Sequence, residues 1–131
     1  MKRLHLLLGL TLFVIFLLTG QYMEYVHSRV LPDGPRLLYR SRHIYILFSA
    51  FINLCLGIYF SGRNPGWRRT LQIIGSVLIL LAPALLLAGF FYEPERGPNN
   101  TIIAPLGIFA TAGGVLLHLF SGMRRQEKGV Q

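Results

Sequence analysis

The sequence predicts an all-α membrane protein, a bundle of four transmembrane helices with both termini cytoplasmic. Apolar stretches at about 4–23, 43–60, 70–92 and 101–121 fill most of the 131 residues, and a spanning helix needs roughly 20 such residues. Hydrophobic residues make up 53% of the chain and charged ones 14%, which leaves no material for a soluble core or a second domain. The third observation is where the charges sit. If the chain alternates across the membrane, Lys2, Arg3, Arg63, Arg68, Arg69, Arg124, Arg125 and Lys128 share one side, and Arg29, Arg36, Arg40, Arg42 and Arg96 the other. By the positive-inside rule the first side is cytoplasmic. The net charge of +8 is therefore read as topology and not as a nucleic-acid surface.

The first span starts like a signal peptide, with Met1-Lys2-Arg3 ahead of an apolar run over 6–18. Large Leu18 at the −3 position of Leu18-Thr19-Gly20 makes a poor cleavage site, so this segment is read as a retained helix. The connection over 25–42 contains Leu31-Pro32-Asp33-Gly34-Pro35, a turn signal. Leu37-Leu38-Tyr39 with Arg36, Arg40 and Arg42 then suits the headgroup layer. The second span is expected from His43 to the Ser61-Gly62-Arg63-Asn64-Pro65-Gly66 turn, with Trp67-Arg68-Arg69 as an interface anchor. In the third, Pro83 removes the usual partner of the Ile79 carbonyl and is expected to kink the helix. The residues 93–100 form an outer loop, with Asn99, Asn100 or Thr101 as the cap of the fourth span and Pro105 in its first turns. Asn99-Asn100-Thr101 is also a glycosylation sequon, but it lies close to the membrane, and a cap explains it.

Helical spacing gives each span an inward stripe of small and polar residues. These are His5, Gly9, Phe13, Phe16 and Gly20; Ser49, Ala50, Asn53 and Gly57; Gln72, Gly75, Ser76 and Pro83; and Ala104, Gly107, Thr111, Gly114 and His118. Ser49, Asn53, Gln72, Ser76, Thr111 and His118 are expected to act as intramembrane polar packing. Asn53 needs a partner, for which Ser49, Gln72 and Ser76 are within reach. His5 and His118 fall at similar depth, but no third ligand accompanies them, so neither a metal nor a cofactor is expected. Lone Cys55 excludes an intrachain disulfide and reads as a small buried hydrophobe.

An outer group of Glu24, His27, Arg36, Arg40, Arg42, His43, Glu93 and Glu95 is the candidate lipid headgroup site, because arginine forks match phosphate. The alternative is a salt-bridged cap over the bundle. No Asp, Glu, Lys or Arg lies mid-span, as proton- or cation-coupled transport normally requires. The membrane glutamate of small multidrug transporters and the paired cysteines of quinone-linked thiol oxidoreductases are absent. Three functions remain: an accessory or scaffolding subunit that packs on other membrane subunits or on its own copies, a binder or enzyme for a lipid or lipophilic substrate, and an oligomeric channel using Asn53 and Ser49. A bacterial inner membrane is the expected location, with membrane lipids as partners and no nucleic acid.

Overall fold

The computed structural model describes residues 1–27, 31–59, 66–97, 99 and 101–122. Arg29, the Ser61–Pro65 part of the turn between the second and third spans, Asn100 of the sequon, Arg63, Arg124, Arg125 and Lys128 lie outside the described residues. The described chain is helical: α1 (Lys2–Tyr22) runs into a π-helical turn (Met23–His27), followed by α2 (Asp33–Tyr59), α3 (Trp67–Arg96) and α4 (Ile103–Gly122). All four helices are long and apolar enough to cross a membrane. The shortest, α4, has 20 residues and so is about 30 Å long, the thickness of a hydrocarbon core.

Two boundaries differ from expectation. The α2 helix begins at Asp33 and not at 43, absorbing the segment that reads as a turn. Proline in a first turn sacrifices no helical bond, because those amides have no intrahelical acceptor. Pro35 is therefore compatible with helix there, and Asp33 adds a favourable acid to the first turn. The helix is secured behind by Arg36, whose amide donates to the Pro32 carbonyl and whose Nη2 donates to the Leu31 carbonyl. The second difference is α3, which continues past Tyr92 through Pro94 to Arg96, so Glu93 is helical and not a loop residue.

The helices pack in sequence order. The α1 helix lies on α2, α2 on α3 and α3 on α4, while α1–α3 and α2–α4 meet at only a few residues. Cross-helix pairs join the start of α1 to the end of α2 and the start of α2 to the end of α3. Neighbours are thus antiparallel, and Met1 and Gly122 lie at the same end of the bundle.

The α1–α2–α3 core is built from Leu12, Tyr39, Ile46, Ala50 and Phe90. The Phe90 ring meets Tyr39 edge-on at 5.3 Å. Between α3 and α4 the backbones themselves touch. A Cβ on Gly75 would stand 2.8 Å from the Gly114 carbonyl, and one on Gly114 would stand 2.7 Å from the Gly75 carbonyl. Small residues permit this approach in apolar surroundings, where dispersion and not water drives association. On α1 the buried stripe is His5, Gly9, Leu12 and Thr19; Phe13, expected inward, is 38% exposed.

Candidate functional site

Buried polar side chains tie each neighbouring helix pair, and they fall into two tiers. The tier at the far end from Met1 centres on Glu93, fully buried on α3. Its Oε2 accepts a 2.7 Å hydrogen bond from Nε of Arg42 on α2, itself buried. Its Oε1 accepts the backbone amide of Ala104 at 3.0 Å. That amide is one of the N-terminal donors of α4, so a carboxylate from α3 caps α4 at the positive end of its dipole. The approach depends on Gly89, where a Cβ would meet that of Ala104 at 2.9 Å. Arg42 Nη1 also donates to Ser41 Oγ at 3.1 Å. Two of the headgroup candidates, Arg42 and Glu93, are therefore committed to each other inside the bundle.

Four of the remaining six stay together. Glu24, Arg36, Arg40 and His43 line a cleft of about 280 Å³ between the end of α1 and the start of α2, with Gly20, Met23 and Tyr39 completing it. The His43 ring is held on two sides. Its Nδ1 is 3.0 Å from Thr19 Oγ1, and it stacks on Phe16 at 4.1 Å. Gly20 leaves room for it, since a Cβ there would lie 3.3 Å from His43 Cε1. Thr19 Oγ1 donates back to the Ile15 or Phe16 carbonyl, so it accepts when the imidazole donates. Arg36 is partly committed, through the Leu31 carbonyl and a 3.6 Å pairing with exposed Asp33, while its Nε is buried with no hydrogen-bond partner among the described residues. Arg40 is exposed at the cleft wall. Two guanidinium groups, one carboxylate and an oriented imidazole give the cleft a positive bias and several donors suited to an anionic oxygen. Lengthening α2 by ten residues creates this arrangement, because Arg36, Tyr39, Arg40 and His43 fall at helical spacing on one face.

The second tier is at the Met1 end. Asn53 Oδ1 and His5 Nδ1 are 2.8 Å apart across α1 and α2, and Asn53 Nδ2 donates to the Ser49 carbonyl at 2.9 Å. Ser76 and His118 pair at 3.1 Å across α3 and α4. Thr111 Oγ1 donates to the Gly107 carbonyl within α4. Ser49, Asn53, Ser76, Thr111 and Gln72 are all buried. The Asn53 partner across the interface is His5, which the sequence placed on the right stripe but not opposite Asn53. Cys55 is exposed on α2 and not buried. Among the described residues no cluster of three or more His, Cys, Asp or Glu residues could hold a metal.

Sequence reasoning put Gly20 on the inward stripe of α1 and Tyr39 in the headgroup layer without naming either as a site residue, and it missed Thr19 and Met23 at the cleft. Thr19 carried a usable signal, being a polar residue one turn beyond Phe16 in an otherwise apolar run. No protein-family model, curated protein or solved structure matches the chain.

Proposed function

We propose that this chain is a multi-pass inner-membrane protein, with cytoplasmic termini, that binds the anionic headgroup of a lipid or lipid-like molecule in the outer cleft. The observation that carries the reading is the set of side chains converging on that cleft: Arg36, with a buried guanidinium N–H lacking an acceptor, beside Arg40 and the fixed His43 ring. Its position where α1 ends and α2 begins is the depth of a headgroup when the apolar parts of the helices occupy hydrocarbon. The Arg42–Glu93 pair then acts as a rigid backing on the neighbouring face of α2 and not as a ligand.

The test is thermal unfolding of the detergent-solubilised protein with short-chain phosphatidate or phosphatidylcholine added. Stabilisation by phosphatidate alone, lost in Arg36→Gln/Arg40→Gln, supports the reading. Equal stabilisation by both lipids refutes it.

A second reading, an accessory subunit, is favoured by one surface. Gly113 on α4 has open space where a Cβ would be, and Leu106, Phe109, Leu116 and Phe120 on the same helix are more than half exposed. Gly107 and Gly114 on α4 already pack against α3, whereas Gly113 lies open beside these apolar side chains and supports docking of another helix. Crosslinking at position 113 to a second polypeptide in intact membranes would support this reading.

A further inference from the structure

A different cleft lies at the opposite end of the bundle. Because α2 and α4 both pack on α3 and scarcely touch each other, a lateral groove of about 490 Å³ opens between them. This is within the range of ligand-binding clefts, roughly 300–1,000 Å³. Its chemistry is graded along its length. Towards mid-bundle the walls are apolar, with Phe51, Ile52 and Leu56 from α2 and Val115 and Leu119 from α4. At the Met1 end it closes on Arg68 and Gln72 of α3 and His118 of α4.

The charge at that end is one-sided among the described residues. Arg68 and exposed Arg69 stand in the first turn of α3, Lys2 and Arg3 begin α1, and there is no acid in the first turn of either helix. The first turn of α3 has no side-chain cap, so its dipole adds to the positive potential. Arg68 lies over the Trp67 ring at 5.8 Å, an arrangement suited to the headgroup layer. An apolar channel that ends in an arginine matches one molecule in its surroundings, an amphiphile with a hydrocarbon chain and a negative head.

We propose that this groove is a binding site for an anionic phospholipid of the leaflet facing the Met1 end, with one acyl chain lying between α2 and α4 and the phosphate at Arg68. The site is independent of the outer cleft. It stands at the other end of the bundle, whose longest helix, α3, has 30 residues and is roughly 45 Å long. Arg68 supplies the charge preference, and the groove supplies the seat for the chain.

The protein carries its own reporter, since Trp67 is the sole tryptophan and adjoins Arg68. The full chain is reconstituted in bilayers containing phosphatidylglycerol or phosphatidylcholine with brominated acyl chains, and quenching of Trp67 gives the relative affinity of the two lipids. The expected result is a preference for phosphatidylglycerol of roughly fivefold, the scale of one arginine near an anionic lipid. Arg68→Gln should abolish it, and Ile52→Phe/Val115→Phe, which fills the groove, should reduce it strongly with Arg68 intact. Arg36→Gln/Arg40→Gln should leave it unchanged, which separates this site from the outer cleft. Equal quenching by both lipids overturns the proposal. So does a preference that survives the groove-filling pair, since charge attraction at the surface then suffices. Absence of Trp67 quenching by either lipid in the wild type overturns it as well.

Discussion

Arg42 Nε and Glu93 Oε2, 51 residues apart in sequence, lie 2.7 Å from each other in the interior of the bundle. Their side chains are 8% and 0% exposed, so the pair is screened from water as well as from lipid. Through its other oxygen Glu93 also holds the first turn of α4. One carboxylate thus ties three helices together, and the flanking cleft of Arg36, Arg40 and His43 is built on α2 with its orientation fixed.

Removing one member of this pair is predicted to be the most damaging polar substitution in the chain. Glu93→Ala leaves the Arg42 charge buried and the Ala104 amide without its acceptor, and should cost about 3–5 kcal/mol. Glu93→Gln keeps an acceptor for Ala104 and should cost less. The double change Arg42→Met/Glu93→Gln should recover part of the loss, because no uncompensated charge remains. Reversible unfolding in mixed detergent micelles measures all three, and a Glu93→Ala protein as stable as the wild type would contradict the assignment.

Adjacent glycines on α4 should respond in opposite ways. A Cβ at Gly114 meets Ile79 Cγ1 at 2.5 Å and the Gly75 carbonyl at 2.7 Å, and backbone cannot yield cheaply. Gly114→Ala should therefore destabilise by about 1–3 kcal/mol, as overpacking typically does. Gly113→Ala meets nothing within 4 Å and should be neutral or slightly stabilising through helix propensity. Thermal unfolding of the two single variants is sufficient, and equal effects would count against the α3–α4 crossing described.

The His5–Asn53 bond should be worth little despite its burial. Interhelical hydrogen bonds in membrane proteins average about 0.6 kcal/mol by double-mutant cycle, with a maximum near 1.7. A cycle of His5→Leu and Asn53→Leu should give a coupling in that range, whereas His5→Leu with Ser76→Ala should give a smaller one. Zero coupling for the first pair would mean that the bond does not form in the membrane.

The all-helical architecture was legible because lipid-spanning segments are read from long apolar runs, which 131 residues cannot hide. The buried stripe of α2 was equally legible, since Ser49, Ala50, Asn53 and Gly57 recur at helical spacing. The start of α2 was not. Pro32-Asp33-Gly34-Pro35 carries every local mark of a turn, and only the helical face shared by Arg36, Tyr39, Arg40 and His43 argues otherwise. Helical spacing puts Phe13 on the stripe with His5 and Gly9, yet Leu12 takes the core position beside it. The division of the outer charges was beyond sequence reasoning: Arg40 and Arg42 are two residues apart and therefore on different faces of a helix, but which face meets Glu93 depends on how α3 lies. Pairing across helices is set by tertiary packing, and a single sequence carries no record of it.

The most direct test of the proposed lipid site is native mass spectrometry of the protein released gently from its own membrane, wild type beside Arg36→Gln/Arg40→Gln. The account predicts a wild-type species that retains an anionic lipid at the outer cleft, and a folded variant that has lost that one while keeping any lipid held at Arg68. A wild type that retains only zwitterionic lipid, or a variant whose retained anionic lipid is unchanged, would contradict it.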